Sequence, residues 1–181
     1  MNVTPGGLDG LLVIEPKVFR DERGFFLEPY NEARYKAAGI QPDFVQDNHS
    51  FSTKGVLRGL HFQKRPGQAK LLRCGRGRIW DVAVDIRPNS TTFGKWWGTE
   101  LDSETHRQLF IPVGFAHGFC VLSDDAEVLY KCSSVYDPAE ETGIAWDDPE
   151  IGVDWRETRP VVSVRDQGNQ SLGQYRSKLG I

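Results

Sequence analysis

The chain has few of the residues that build disulfide scaffolds, metal clusters or membrane anchors. Its 181 residues include 3 cysteines, 1 methionine and 4 histidines. Cys74, Cys120 and Cys132 are odd in number and form no Cys-x-x-Cys, which excludes a disulfide framework. They predict free buried thiols in a reducing cytoplasm. No apolar run approaches the roughly 20 residues of a spanning helix. Met1 to Gly10 lacks a cationic segment followed by an apolar one, so no secretory leader is expected. With a formal net charge of -3 there is no general pull toward nucleic acid or membrane, and any basic site must be local. A glycine-rich phosphate loop is also missing, because Gly75-Arg76-Gly77 reads as a hairpin turn. Internal repeats and low-complexity segments are absent. Helix is scarce: Asn31 can cap a short one from Glu32 to Ala38, which Gly39 ends.

What remains is a soluble pattern, 39% hydrophobic and 26% charged, in a length that suits one domain over residues 1–181. Its 19 glycines and 10 prolines fall between short apolar stretches, which argues for an all-β sandwich or barrel. The clearest strand is Ile79 to Ile86. Trp80, Val82, Val84 and Ile86 take one face, and Asp81, Ala83 and Asp85 take the other. Ala126 to Tyr136 alternates as well, putting Tyr130 and Tyr136 on one face. Further strands are expected at Leu11–Val18, Gly24–Glu28, Phe44–Phe51, Leu57–Gln63, Ala69–Cys74, Trp96–Leu101, Leu109–Ile111 and Gly118–Leu122. Breaks are expected at Lys64–Gly67, Ser123–Asp125 and Asp137–Thr142. The polar tail from Gln167 is expected to be loosely held apart from Leu172, Leu179 and Ile181. This is the layout of a double-sheet jelly roll with a few short helices.

Two glycine-rich runs carry the chemistry. Gly55-Val56-Leu57-Arg58-Gly59-Leu60-His61-Phe62 sets an imidazole beside a guanidinium. Residues 58 and 61 would face opposite sides of a regular strand, and a bulge at Gly59 would aim both into one cavity. Imidazole can act as a base near neutral pH. Arg23 and Arg58, each beside glycine, can fork onto phosphate oxygens. Lys70, ahead of Leu71-Leu72, can reach a cavity. Asp166 is a turn residue by default, yet its carboxylate could orient an imidazole. Asp81, on an apolar strand, needs a partner, either His117 or Lys70.

The second run, Ile111-Pro112-Val113-Gly114-Phe115-Ala116-His117-Gly118-Phe119, has the frame Pro112-x-Gly114-x-x-His117, which resembles the second motif of the cupin barrels. Metal-binding cupins also carry His-x-His and a downstream Glu. Here that place reads His61-Phe62-Gln63, with no Glu before Asp81, so neither metal nor cofactor is expected.

Further segments sharpen the resemblance. They are Asp21-Glu22-Arg23-Gly24-Phe25-Phe26-Leu27-Glu28, Gln46-Asp47-Asn48-His49-Ser50, Asp81–Arg87, Tyr130-Lys131, Tyr136-Asp137-Pro138 and Trp146-Asp147-Asp148-Pro149. With the two glycine-rich runs, they resemble the dTDP-4-dehydrorhamnose 3,5-epimerase family, a metal-free branch of the cupin superfamily, from Phe19 to Asp166. The resemblance implies an all-β double-stranded β-helix and an epimerase acting at C3 and C5 of a dTDP-4-keto-6-deoxy sugar. It implies His61 as general base with Asp166 as partner, and Tyr130 as general acid. Lys70 and His117 would stabilise the enolate oxygen, with Asp81 behind His117. Arg23 and Arg58 would hold the diphosphate. Phe26, Glu28, Gln46, Asn48 and Tyr136 would form the nucleotide and sugar pocket, which part of a partner subunit in a homodimer completes. Phe93, Trp96 and Trp97 fit a dimer contact or a cover for the barrel. Arg165 stands where the family often has lysine, and the proline usual after the aspartate is missing from Asp166–Gln170. Relatives with the same acid and base invert one carbon only, and a 3,4-ketoisomerase on the same fold is a further alternative.

Overall fold

The computed structural model describes all 181 residues. Twelve strands and three short helices follow one another along the chain. The strands are β1 (Asn2–Pro5), β2 (Leu12–Glu15), β3 (Val18–Asp21), β4 (Gly24–Leu27), β5 (Gln46–Thr53), β6 (Val56–Gln63), β7 (Lys70–Asp85), β8 (Trp96–Asp102), β9 (Gln108–Ile111), β10 (Phe115–Cys132), β11 (Glu141–Gly143) and β12 (Val161–Val162). The helices are α1 (Glu32–Ala37), α2 (Val164–Gln167) and α3 (Leu172–Leu179). None of them is long and apolar enough to cross a membrane.

The fold is organised by two long strands. β7 has 16 residues and β10 has 18, and they pair antiparallel along their length. Their outer edges are shared out by halves. The first half of β7 takes β9, which leads to β2 and β1, and its second half takes β8. β10 meets β6 through its first half and β5 through its second, while β11 and β12 extend from β6. Both long strands therefore run through two facing sheets, the jelly roll that the sequence implied.

Bulges let the long strands bend. Gly75 has no partner in the ladder, and residues 122–125 of β10 stand against Arg78 alone. Gly75-Arg76-Gly77 is thus a bulge within a continuous strand rather than a hairpin turn, and Ser123–Asp125 is the matching bulge rather than a break. Gly77 has φ +75°, and a Cβ there would lie 2.0 Å from the Asp125 carbonyl oxygen. The bulges also reverse side-chain parity. Leu72 and Cys74 face the core at even positions before the bulge, and Ile79 and Ala83 face the same core at odd positions after it.

That core lies between the sheets, around Leu72, Ile79, Leu109, Phe115, Phe119 and Val128. The outer face of one sheet carries Trp80, Val82, Val84 and Ile86, covered by Ile144, Ile151, Trp155 and Leu172. The other outer face, with Leu71 and Phe110, is covered by Tyr35 of α1 and by Ile40. Asn31 caps α1 as expected, its side chain accepting from the Arg34 N–H at 3.2 Å.

The chain departs from the sequence reading at both ends. Leu11–Val18 is split, with β2 in the main sheet and β3 pairing only with β4 as a separate hairpin. The tail is ordered by α2 and α3. Ser171 and Gln174 form a capping box on α3, and the buried Asp148 accepts the Leu172 N–H at 2.8 Å. Polar composition hid this, because the anchoring groups are themselves polar. Tyr136 lies beyond the end of β10 in an exposed loop, so it does not share a strand with Tyr130.

Candidate active site

A cavity of about 480 Å³ opens between the sheets near their irregular strands. Seven of the expected residues line it: Arg58, His61, Lys70, His117, Tyr130, Arg165 and Asp166. Strand parity alone would keep most of them apart. Arg58 and His61 share the cavity because β6 is irregular at Gly59, where the register with β10 shifts between His117 and Phe119. Gly59 has φ +147°, and a Cβ there would lie 2.6 Å from the Gly118 Cα, so only glycine lets the two backbones approach. His117 and Tyr130 likewise face one cavity from opposite sides of the β10 bulge.

Two histidine–carboxylate pairs stand here. His61 Nε2 lies 2.6 Å from Asp166 Oδ1. The other oxygen of Asp166 accepts the Gly59 N–H at 3.3 Å, and Ser163 caps α2 by accepting the Asp166 N–H at 3.1 Å. Burial opposes ionisation of Asp166, but the His61 bond and charge, the Gly59 N–H and Arg165 outweigh it and hold the carboxyl below the usual carboxylate range. An ionised carboxylate only accepts, so Nε2 carries the ring proton and Nδ1 is left as the proton acceptor.

His117 Nε2 lies 3.1 and 2.9 Å from the two oxygens of Asp81. Burial lowers the His117 pKa, with Asp81 opposing and Lys70 and His61 reinforcing. Lys70 Nζ reaches the His61 carbonyl at 3.5 Å. Burial also lowers the pKa of Lys70, opposed by Cys132, Asp81 and Glu141. Burial raises the Tyr130 phenol, with Cys132 adding to the effect and the Asn48 side chain and Arg58 opposing it. A phenol kept protonated in this way can deliver a proton. The cavity therefore offers a proton acceptor, a proton donor and, in Lys70, a hydrogen-bond donor for a developing oxyanion, with His117 beside it.

Gln46, Asn48, Tyr136 and the remaining expected residues lie outside this lining. Asn48 is the ladder partner of Tyr130, and Gln46 Oε1 accepts the Tyr136 N–H at 2.7 Å. Arg58 is steered by Ser52, whose hydroxyl accepts from Nε at 3.0 Å. Arg23, Phe26 and Glu28 do not line this cavity. Arg23 is bound only to Asp21 on the exposed β3–β4 hairpin, and the Phe26 ring is exposed. Glu28 pairs with Arg34 at 2.9 Å, beside a separate cavity of about 490 Å³ at the base of the hairpin. The sequence reading missed Glu141, which lines the active cavity, pairs with Arg165 at 2.6 Å and accepts from the Tyr136 hydroxyl at 2.7 Å. It lay in the expected break Asp137–Thr142 and so gave no signal, yet it begins β11, pairing with Gln63. No three His, Cys, Asp or Glu side chains converge so as to hold a metal ion.

The chain is also similar to known proteins. The family model described as dTDP-4-dehydrorhamnose 3,5-epimerase matches residues 6–174. A dTDP-4-dehydrorhamnose 3,5-epimerase of Shigella flexneri is 54% identical over 174 residues, covering 95% of this chain and 96% of that one. Another, from Methanothermobacter thermautotrophicus, is 56% identical over 148 residues, covering 82% of this chain and 80% of that one. The crystal structure of a dTDP-6-deoxy-D-glucose-3,5-epimerase from Legionella pneumophila, in complex with dTDP-4-keto-L-rhamnose, superposes with a TM-score of 0.95. That protein is 46% identical, and the match covers 98% of this chain and 96% of that one.

Proposed function

The chain belongs to the dTDP-4-dehydrorhamnose 3,5-epimerase family, and on that premise we propose that its 181 residues act as one domain inverting C3 and C5 of a dTDP-4-keto-6-deoxy sugar. It is an enzyme of the isomerase class. The observation that carries the finer reading is the His61–Asp166 pair at 2.6 Å, set in a cavity shared with Lys70, His117 and Tyr130.

The 4-keto group acidifies the C–H bonds at C3 and C5. His61 Nδ1 takes one of these protons, and the C–H electron pair moves into the ring as the ketone oxygen becomes an enolate. Asp166 holds the imidazole and steadies the imidazolium that forms. Lys70 donates to the enolate oxygen, where charge develops, and His117 joins it from Nδ1 in its imidazolium form, which the Asp81 carboxylate pairs with. Tyr130 gives a proton to the opposite face of the carbon, which inverts it, and exchange with water restores both groups. The chemistry uses no redox step. Arg58 holds the diphosphate, while Arg165, Gln46, Asn48 and Tyr136 complete the sugar and nucleotide pocket.

Arg23, Phe26 and Glu28 act from a second subunit of a homodimer. Two features support this. The β3–β4 hairpin is a two-stranded sheet of its own, which is marginal in isolation. It also exposes Phe19 and Phe26, cross-strand partners with ring centroids 6.5 Å apart, an apolar patch that suits a protein contact.

The test is solvent deuterium exchange with a dTDP-4-keto-6-deoxyglucose substrate, followed by NMR. Deuterium is expected at both C3 and C5, with the carbonyl staying at C4. Exchange at one carbon only would make the enzyme a mono-epimerase, and a shifted carbonyl would make it a ketoisomerase.

A further inference from the structure

We propose that Ser50 binds substrate, its hydroxyl pairing with the 2-hydroxyl of the sugar ring; this rests on the epimerase reading above. Alternate residues of β5, namely Gln46, Asn48, Ser50 and Ser52, are the less exposed set and turn toward the barrel. Three of the four have protein partners. Gln46 Nε2 donates to Asn48 Oδ1 at 3.0 Å, Asn48 Nδ2 faces the Cys132 sulfur at 3.6 Å, and Ser52 accepts from Arg58. Ser50 Oγ is shielded from water and has no hydrogen-bond partner, yet its residue lines the active cavity.

Other cavity groups already have partners. His61 is tied to Asp166, His117 to Asp81, Arg165 to Glu141, and Ser163 to the Asp166 N–H. A shielded hydroxyl without a bond is unfavourable, and in native structures such a group calls for an explanation. At a cavity wall, a modest turn about χ1 brings the hydroxyl to a ligand that supplies the missing bond.

Its position selects the ligand group. Ser50 lies between Asn48, the ladder partner of Tyr130, and Ser52, which steers Arg58. Tyr130 serves the reacting carbons and Arg58 the diphosphate. Along the substrate, the diphosphate oxygen joins C1, and C2 separates C1 from reacting C3. The polar group between the two anchors is the C2 hydroxyl. A serine hydroxyl can both donate to it and accept from it.

The test compares wild type and Ser50→Ala on the keto sugar and on its 2-deoxy analogue. On the natural substrate, kcat/KM is expected to fall about five- to tenfold. On the 2-deoxy analogue the two proteins should match. Affinity for dTDP alone and the thermal midpoint should be unchanged. Equal losses on both substrates, no loss on the natural one, or weakened dTDP binding would each overturn the assignment. The underlying reading fails separately, through absence of solvent exchange by the wild type.

Discussion

Two histidine–aspartate pairs lie on neighbouring strands of one barrel, and their hydrogen bonds alone would not tell them apart. His61 meets Asp166 at 2.6 Å and His117 meets Asp81 at 2.9 Å. Their surroundings differ. The His61 side chain is 25% exposed, and its carboxylate arrives from a helix 105 residues away. His117 is 8% exposed, and its carboxylate sits on the adjacent strand of the same core. The first pair couples an accessible ring to a partner that comes with the tail. The second fixes a ring inside the barrel. A base needs access and a carboxylate that stabilises its protonated form, whereas an oxyanion donor needs rigidity. Bond length separates the two proposed roles less well than exposure and attachment do.

Substitutions can break or sharpen this contrast. His61→Asn should cause the largest loss, about 10³-fold or more in exchange at both carbons with the fold intact by circular dichroism. Exchange close to wild type would remove the base assignment. Asp166→Asn should cost about 10²-fold, because an amide no longer stabilises the imidazolium. Asp81→Asn should cost less in turnover, about tenfold, but more in stability, since its carboxylate is wholly buried against His117. If the two aspartate variants lose activity and stability in the same proportion, the division of labour is wrong.

The hairpin offers a test of the subunit arrangement. His61→Asn and Arg23→Ala proteins, each impaired alone, should regain about a quarter of wild-type activity when co-refolded, because random pairing leaves that share of sites intact. Recovery depends on Arg23 serving the partner's cavity. With Arg23 acting in its own subunit, mixing restores nothing.

The smallest effect lies away from the site. Asp85 is buried at the end of β7, and Arg87, Ser90 and Thr92 bind its carboxylate. Burial opposes its ionisation, but these bonds prevail and bring its pKa down to about 2. A depressed carboxylate stabilises the fold above its unfolded pKa, and that contribution is lost as pH falls through the folded value. Asp85→Asn should therefore lower stability by about 2 kcal/mol at neutral pH, and the gap should close between about pH 4 and 2 in denaturant titrations. A gap that persists at pH 2 would mean the effect is packing rather than charge.

Much of the fold was legible in the chain. Alternation in Ile79–Ile86 gave the strand and the split of its two faces, both of which are buried, and Asn31 and Gly39 bracketed α1. The errors share one cause. Gly75–Gly77 and Ser123–Asp125 have the composition of turns, and only cross-strand pairing makes them bulges. Glu141 passed unnoticed because a glutamate in a polar stretch looks the same whether it faces water or, as the first residue of β11, a cavity.

The sequence by itself determined the strand-rich pattern, the glycines at the tight approaches, and the kinds of reactive group available. The family motifs it carries supplied the proposed roles. Tertiary structure alone decided which groups meet. A strand alternates its side chains strictly, so His117 and Tyr130, or Arg58 and His61, share a cavity only because bulges reverse the count between them. Pairing across the barrel sets where those reversals fall. The same pairing docks the tail, and the docked tail brings Asp166 to His61.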